Sequence, residues 1–308
     1  MEQTGRALDR LPRGSRMAIV RLRSMGDCVL TTPAIEILHR ERPDLEIGVV
    51  VEDRFRAIFE GNPSVAAILR PELTEIFRWC PALCLNLHGG RRSMLLTLAS
   101  RAAIRAGFAH HRGALLYHTR IPRAQEILGA ERPVHTAEHL ASAMFYLGCP
   151  AQEIPRARLY ASPTAGMSPY AILHPVAAAQ YKTWPADRFV AVAEHVRRVY
   201  ALEPMLIGGA GDDMTPFRSF RTVVGAPLAG VVSLIAGASL FIGNDSGPAH
   251  IAAAFDRPLV VLYGRPEHLI TWAPWRATSA ATLVDAHGIS AIRTDDVIAA
   301  VDRIHVPR

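Results

Sequence analysis

The sequence predicts an α/β protein with two doubly wound domains. Short apolar runs alternate with amphipathic helical patterns from one end of the chain to the other, which is typical of parallel α/β architecture. A polar, proline-bearing stretch over residues 150–169 separates two such series. Because 308 residues suffice for two cores, we expect a flexible N-terminal tail over residues 1–16, an N-terminal domain over 17–155 and a C-terminal domain over 156–308.

The apolar runs predict strands in both halves of the chain. They cover residues 17–22, 46–51, 65–69, 82–87 and 103–107 in the first half, and 170–173, 204–207, 240–242 and 259–262 in the second. The clearest helix begins after Pro185, where apolar residues recur with helical spacing. These residues are Phe189, Val192, Ala193, Val196, Val199 and Tyr200. Further helices are expected over residues 138–147, closed by Gly148, and over about 294–304, capped by Thr294.

The composition narrows the classes of function. No apolar run approaches the ~20 residues of a membrane-spanning helix, and the polar first sixteen residues do not resemble a secretion signal. Cys80 and Cys84 have no partners at a zinc-like spacing, so we expect reduced thiols and no bound metal. The net charge of +6 favours an acidic partner, such as a phosphorylated substrate or an anionic membrane surface. The arginines are scattered and no nucleic-acid-binding module is evident, so we expect no nucleic-acid partner. The reduced thiols lead us to expect a cytoplasmic protein.

Lys182 is the only lysine among 34 basic residues. It lies between a predicted strand and the helix after Pro185, and Thr183 follows it. A lysine carries a compact ammonium charge on a flexible chain, whereas an arginine carries a planar guanidinium that forms paired hydrogen bonds. The two are therefore not interchangeable at a site that binds phosphates. The sequence therefore favours a phosphate contact for Lys182, although a solvated lysine ahead of a helix is the simpler alternative.

The segment Arg23-Ser24-Met25-Gly26-Asp27 directly follows the first predicted strand. Gly26 would allow a tight turn, and Asp27 would then stand at the start of a helix. A carboxylate at the carboxyl end of a strand can act as a general base toward a hydroxyl group. From spacing alone, Asp27 could equally be a helix cap.

A polar turn between two apolar runs forms the second motif. It comprises Asn244, Asp245, Ser246, Gly247, Pro248 and His250. The amides at the start of the following helix, with Ser246 and Gly247, would form an anion site. As alternatives, Asp245 could cap that helix and His250 could be a core residue.

Two weaker candidates also follow predicted strands. A glycine-rich turn with Gly209, Asp212 and Asp213 could bind a ribose. His88, Arg91 and Arg92 would suit an anionic acceptor, although an exposed arginine pair is the simpler interpretation.

Together these segments resemble glycosyltransferase family 9, the ADP-heptose:lipopolysaccharide heptosyltransferases. The resemblance runs from Met17 onward and also includes Leu30-Thr31-Thr32-Pro33-Ala34, His135-Thr136-Ala137-Glu138-His139 and His174-Pro175. It implies a GT-B fold, with two Rossmann-like domains facing across a cleft, the acceptor bound by the first and the nucleotide-sugar by the second.

The resemblance also implies inverting transfer without a metal or cofactor, with ADP-heptose as the co-substrate. By position, Asp27 matches the family's proposed base, Lys182 the lysine at the donor phosphates, and residues 245–250 the nucleotide-phosphate motif. We assign Ser24, Met25, Gly26, His88, Arg91 and Arg92 to the acceptor. The expected acceptor is an anionic glycan or glycolipid such as lipopolysaccharide core, with peripheral contact at the inner membrane surface.

Two alternatives remain open. Val176 stands where many members have Gly, and Ala177, Ala178 and Ala179 stand where members commonly have hydroxyl side chains. This departure motivates a non-catalytic relative that binds a sugar nucleotide or glycan. A nucleotide-sugar epimerase on a similar two-domain fold is the other alternative, and it would convert the donor without an acceptor.

Overall fold

The computed structural model describes residues 7–304, and the chain divides between Tyr160 and Ala161 into two compact units. The first unit contains one parallel sheet with the order β3-β2-β1-β4-β5-β6. Its strands are β1 (Arg16–Val20), β2 (Glu46–Val50), β3 (Ala67–Leu69), β4 (Leu83–Asn86), β5 (Ile104–Phe108) and β6 (Thr119–Ile121). Its helices are α1 (Met25–Glu41), α2 (Leu73–Trp79), α3 (Arg91–Ala99), α4 (Ala124–Leu128) and α5 (Thr136–Leu147).

The second unit repeats this topology, with the order β12-β11-β10-β7-β8-β9. Its strands are β7 (Tyr170–His174), β8 (Glu203–Gly208), β9 (Arg221–Val224), β10 (Leu240–Asn244), β11 (Leu259–Tyr263) and β12 (Ala280–Val284). Its helices are α6 (Ala186–Tyr200), α7 (Leu228–Ala236), α8 (Gly247–Ala254), α9 (Pro266–Trp272) and α10 (Thr294–Arg303). The prediction of two doubly wound parallel sheets is confirmed.

Every predicted strand is present, and the strands that were not predicted are β6, β9 and β12. All three lie at sheet edges. An edge strand is not buried on both faces, so it need not be a continuous apolar run. Strand β9 illustrates this, because Arg221, Thr222 and Val224 are exposed.

The helix after Pro185 packs as its spacing predicts, with one exception. Phe189, Val192, Ala193 and Val196 are buried in the core of the second unit. Val199, which was expected to join them, is 53% exposed. It lies at the margin of the apolar stripe and in the last turn of α6, where helical rotation has carried it out of the core.

Three local predictions were wrong. Gly26 does not form a turn, because it lies inside the first turn of α1. Thr294 is the first helical residue of α10, and the N-cap position belongs to Arg293. The expected flexible tail is ordered from residue 7 onward, while residues 1–6 lie outside the described range. Leu8 and Leu11 are buried there, and the guanidinium of Arg42 donates to both of their carbonyl oxygens, at 2.6 and 3.2 Å.

Within the described part of the chain, none of the helices combines the length and apolarity needed to span a membrane.

Candidate functional site

The predicted site residues gather where the strand order of each sheet reverses. This reversal lies between β1 and β4 in the first unit and between β7 and β10 in the second. In open α/β sheets, ligands bind outside the carboxyl ends of the strands at this point. Ser24, Asp27 and His88 follow β1 and β4, whereas Lys182 and Asp245 follow β7 and β10. We call these the first site and the second site, and each is described within its own unit.

The first site surrounds a cavity of about 440 Å³. Its lining residues are Arg23, Ser24, Asp27, Arg54, Phe55 and His88. Sequence analysis missed Arg54 and Phe55, and it named Arg23 only as part of the candidate segment. Arg54 and Phe55 come shortly after β2, the neighbour of β1, so their position behind a strand was the signal that could have identified them.

Asp27 is both a helix-capping residue and a wall of this cavity. Its Oδ2 accepts hydrogen bonds from the Ser24 backbone amide at 3.4 Å and from Ser24 Oγ at 3.2 Å. The pair forms a capping box at the start of α1. An acidic side chain in the first turn complements the dipole of the helix. The side chain of Asp27 is still 31% exposed, so capping does not prevent it from meeting a ligand.

Arg21 places a buried positive charge beside Asp27. Its side chain is 8% exposed, and its Nη1 lies 3.9 Å from Asp27 Oδ2. Burial lowers the pKa of Arg21, and the nearby carboxylate of Asp27 opposes that change. A guanidinium nevertheless stays protonated in proteins. Arg21, which sequence analysis missed, thus pairs with the candidate base from beneath the cavity wall.

His88 is held by the turn that follows β4. The backbone amides of His88 and Gly89 donate to Asn86 Oδ1 at 3.0 and 3.1 Å. Asn86 is buried, so the turn is anchored in the sheet. Burial, and secondarily the charge of Arg21, lower the pKa of His88. The imidazole is therefore neutral at neutral pH.

The other predicted acceptor residues are not in the cavity lining. Met25 and Gly26 lie in the first turn of α1. Arg91 and Arg92 are exposed at the start of α3. Arg92 is partly engaged, since its Nη2 donates to the carbonyl oxygen of Pro71 at 3.1 Å. These arginines match the simpler interpretation of an exposed pair near the site.

Three histidines cluster near the end of β5. Sequence analysis missed His110 and His111, which follow that strand, and named His139, on α5, only as part of a family motif. The ring of His139 stacks on Phe108 with centroids 4.0 Å apart, and His110 and His111 pack around the same phenyl ring. Burial lowers the pKa of His111 to about 3 and that of His139 to about 4. These imidazoles are neutral in the folded protein.

The second site is built around an ion pair between Lys182 and Asp245. Lys182 Nζ lies 2.6 Å from Asp245 Oδ2, and the two side chains are 20% and 5% exposed. His268 Nδ1 lies 3.3 Å from the same oxygen. The ammonium also lies 5.5 Å from the ring centroid of Trp272, within the range of a cation–π contact. Asp245 thus binds the lysine instead of capping a helix.

Asn244 connects the two loops of the second site. It has no exposed surface. Its Oδ1 accepts the backbone amide of Trp184 at 3.2 Å, and its Nδ2 donates to the carbonyl oxygen of Pro175 at 2.9 Å. Asn244 was expected to bind the donor phosphates, but its burial leaves it no surface for a ligand. The side chain instead fixes both ends of the loop that carries Lys182.

The remaining residues of the second motif differ in exposure. Pro248 and His250 are buried within α8, so they do not offer surface to a ligand. Ser246 and Gly247 are partly exposed at the start of that helix. Ser246 Oγ lies 2.9 Å from His174 Nδ1, and burial lowers the pKa of His174 to about 4. Thr183 is partly exposed, and its Oγ1 donates to the carbonyl oxygen of Ala179 at 3.1 Å.

The glycine-rich turn follows β8, next to β7 in the sheet. Asp212 Oδ2 accepts the amide of Gly209 at 2.6 Å, and Asp213 Oδ1 accepts the amide of Thr215 at 2.9 Å. All three predicted residues are exposed. The two carboxylates therefore order their own turn and remain open to solvent at the carboxyl edge.

Helix α9 supplies residues that sequence analysis missed. His268 and Trp272 both lie on it and contact the ion pair. The helix begins just after β11, the neighbour of β10, so its position was the available signal. Gly264 precedes it, and a Cβ atom there would collide with the carbonyl oxygen of Tyr181. Only glycine permits this close approach of the Lys182 loop.

Over residues 7–304, no group of three or more His, Cys, Asp or Glu side chains is arranged to hold a metal ion. The four cysteines are free thiols, of which Cys80 is exposed and the others are buried.

The chain is similar to known proteins over nearly its whole length. Residues 82–293 match the profile of glycosyltransferase family 9 (heptosyltransferase). The chain is 26% identical over 339 residues to lipopolysaccharide heptosyltransferase 3 of Escherichia coli, in an alignment covering 92% of this chain and 97% of that protein.

Two solved structures share the fold. One is a family 9 glycosyl transferase from Veillonella parvula DSM 2008, with a TM-score of 0.81, 20% identity and coverage of 94% of this chain and 96% of that chain. The other is the E. coli heptosyltransferase WaaC with ADP, with a TM-score of 0.76, 17% identity and coverage of 93% and 99%. WaaC has also been solved with ADP-2-deoxy-2-fluoro heptose. The expected GT-B fold class, with two Rossmann-like domains, is confirmed by these structures. Because the profile match spans more than half of its residues, the chain belongs to glycosyltransferase family 9 (heptosyltransferase) and is a glycosyltransferase.

Proposed function

We propose that this protein transfers heptose from ADP-heptose to a hydroxyl group of an anionic glycolipid, lipopolysaccharide core, with inversion at the anomeric carbon and without a metal. The acceptor binds the first site and the donor binds the second. The observation that carries the proposal is the position of Asp27, whose carboxylate lies in the wall of the cavity at the strand reversal of the first unit. A carboxylate that meets a ligand hydroxyl there can act as its general base.

The transfer is a single displacement. The acceptor oxygen bonds to the anomeric carbon on the face opposite the diphosphate, and its proton passes to the Asp27 carboxylate. The bond from that carbon to the diphosphate oxygen breaks, and its electron pair stays on ADP. Arg21 supports this step because its guanidinium pairs with Asp27 at 3.9 Å and opposes displacement of the carboxylate.

The departing diphosphate requires positive charge from the protein. Lys182 supplies it as an ammonium with three N–H donors, one of which binds Asp245 at 2.6 Å. The partly exposed amides at the start of α8, beside Ser246 and Gly247, add the positive end of a helix dipole. Such fixed charges stabilise the developing negative charge without reorganisation.

The identity of the donor rests on relatives. The structures of WaaC contain ADP and a fluorinated ADP-heptose analogue, and the E. coli protein matched in sequence is a lipopolysaccharide heptosyltransferase. The exposed carboxylates of Asp212 and Asp213 stand at the neighbouring strand end and suit the ribose hydroxyls of the nucleotide. We place the protein in the cytoplasm, working at the inner membrane face.

Thermal shift and product analysis test this function. ADP and ADP-heptose should raise the melting temperature more than UDP or GDP derivatives, because a ligand that binds only the folded state stabilises it. Incubation with ADP-heptose and a heptose-deficient core acceptor should release ADP and yield a product of inverted anomeric configuration by NMR. Retention of configuration, or loss of activity in EDTA that a divalent metal restores, would contradict the proposed chemistry. Tight ADP-heptose binding without turnover would support the non-catalytic alternative.

A further inference from the structure

The positive charge of the chain is concentrated in one segment. Residues 76–125 contain no aspartate or glutamate, and they carry eight arginines, namely Arg78, Arg91, Arg92, Arg101, Arg105, Arg112, Arg120 and Arg123. The net charge of the whole chain is +6, so the remaining residues together are slightly acidic. This segregation places a net basic region in the first unit, although Arg92 in it pairs with Glu52 at 3.8 Å.

Much of that region covers one face of the first sheet. The connections from β3 to β4, from β4 to β5 and from β5 to β6 all cross the sheet in the same direction. Because such crossovers are right-handed, α2, α3 and the turn at residues 114–116 lie on the same face. Their packing agrees, since α2 contacts α3 and Met94 of α3 lies against Gly113. Helix α1 packs with α5 instead.

The same elements expose large apolar side chains to solvent. They are Leu73 and Phe77 on α2 at 54% and 51%, Leu95 on α3 at 53%, and Leu115 and Leu116 in the turn at 85% and 43%. Single exposed apolar residues are ordinary, whereas a group on neighbouring elements marks an interaction surface. We call these five residues, together with the exposed Arg78, Arg91, Arg92, Arg101 and Arg112, the basic apolar face.

The arginines and the apolar side chains of this face are intermixed. The guanidinium of Arg101 lies 5.1 Å from the ring centroid of Phe77. Arg112 comes just before the turn that exposes Leu115. Carboxylates are fewer than arginines on this face, with Glu72 and Glu75 beside Leu73 and Glu52 at 3.8 Å from Arg92. A surface that combines leucine and phenylalanine with an excess of arginine has the chemistry of an interfacial membrane contact.

We propose that the basic apolar face docks the protein on an anionic phospholipid bilayer. Leu115, at the tip of the turn, enters the headgroup region, and the arginines contact the lipid phosphates. A second copy of this chain fits less well, because arginines outnumber carboxylates on this face and two such faces would repel each other. The inference rests on the proposed function, because docking on a bilayer would bring the enzyme to an acceptor that is anchored in lipid.

Vesicle flotation of the full chain tests the proposal. The protein should bind vesicles of phosphatidylethanolamine and phosphatidylglycerol, and not vesicles of phosphatidylcholine, and binding should weaken as salt is raised. The double variant Leu95→Glu/Leu115→Glu should lower binding by at least about tenfold. Arg78→Glu/Arg112→Glu should do the same, since each arginine at such a surface contributes about fivefold.

Matched controls lie in the second unit. Val199 is as exposed as Leu95, at 53%, and Arg198 is exposed on the same helix. Val199→Glu and Arg198→Glu should leave vesicle binding unchanged. Every variant should keep the ADP-induced thermal shift of the parent, which shows that it is folded.

The outcomes separate docking from transfer. Variants that lose vesicle binding yet transfer normally to a water-soluble core oligosaccharide support the proposal. Failure of the parent protein to bind anionic vesicles at low salt overturns it, whatever the transfer activity. A dimer that Leu115→Glu converts to a monomer overturns it in favour of an interface between copies. Vesicle binding without transfer from any heptose nucleotide would refute the proposed function alone.

Discussion

Lys182 Nζ lies 2.6 Å from Asp245 Oδ2, and this contact joins residues 63 positions apart in the chain. It connects the loop after β7 to the turn after β10, on either side of the strand reversal. Lys182 therefore has a fixed position before any ligand binds. Its partner is more deeply buried than the lysine itself, at 5% against 20% exposed.

Replacing Lys182 should impair both donor binding and stability. Lys182→Ala leaves a buried carboxylate without its ammonium partner, so we expect a loss of about 1–3 kcal/mol of unfolding free energy with weaker ADP binding and slower transfer. Lys182→Ala/Asp245→Ala removes both charges and should recover part of the stability but none of the activity. Calorimetric unfolding and ADP titration measure the two effects. An unaltered transfer rate in Lys182→Ala would leave the lysine with a structural role only.

Replacing Asp27 should separate chemistry from nucleotide binding. Asp27→Asn keeps the shape of the side chain but cannot accept a proton from the acceptor, so transfer should be abolished while ADP binds the second unit normally. Stability should fall by about 1 kcal/mol because the capping box loses its charged member. Glu126→Gln removes the equivalent carboxylate from the capping box of α4 and serves as the control. Full activity in Asp27→Asn would remove the residue from the mechanism.

The close approach at Gly264 can be tested with a single methyl group. Gly264→Ala adds a Cβ that collides with the carbonyl oxygen of Tyr181, so the backbone beside Lys182 must move. We expect ADP affinity to fall at least about tenfold, since small displacements of positioned groups are costly. Gly230→Ala is the control, because a Cβ there meets open space and Gly230 lies on α7, outside the second site. Equal ADP affinity in the two variants would contradict this interpretation of the loop.

The lowered pKa values of the buried histidines predict that the folded protein loses stability in acid. His139 and His174 have folded-state pKa values lowered to about 4, and that of His111 is lowered to about 3, against about 6.5 in an unfolded chain. Between about pH 6.5 and pH 4 the unfolded chain binds protons that the folded protein does not, so stability is complete above pH 6.5 and falls as the pH is lowered. The slope is at most about 1.4 kcal/mol per pH unit for each histidine.

Calorimetric melting between pH 7 and pH 4 checks this expectation. His139→Phe retains a ring against Phe108 but cannot titrate, so its melting temperature should fall less steeply on acidification. His287→Gln, at a side chain that is 88% exposed, should behave like the parent. A melting temperature that stays constant from pH 7 to pH 5 would contradict the prediction.

The central strands of both sheets could be predicted from the sequence. Central strands of parallel sheets are buried on both faces, so they form continuous apolar runs. Such runs located β1, β4, β7 and β10, whose carboxyl ends carry both sites. Edge strands lack that signal, and β6, β9 and β12 were missed for this reason.

The sequence predicted where each site lies in the fold, but it did not predict which side chains pair with one another. Lys182, Asp27 and Asp245 were identified because they directly follow buried strands. Pairing depends on three-dimensional approach, so the sequence could not show that Asp245 binds Lys182 or that Asn244 is buried. Arg21 was overlooked because it lies directly after β1. A single charged residue at a strand end gives no sequence pattern that shows whether its side chain is buried beneath a site or exposed to solvent.

Asn244 anchors the chain at Pro175 and again at Trp184, and its two bonds make the intervening residues replaceable. Ala177, Ala178 and Ala179 can change size or polarity without loosening the attachment of Lys182, whereas Val176 packs against the core. Under the proposed function, exchanging those three alanines as a set offers a route to another activated sugar while the ammonium of Lys182 keeps its place.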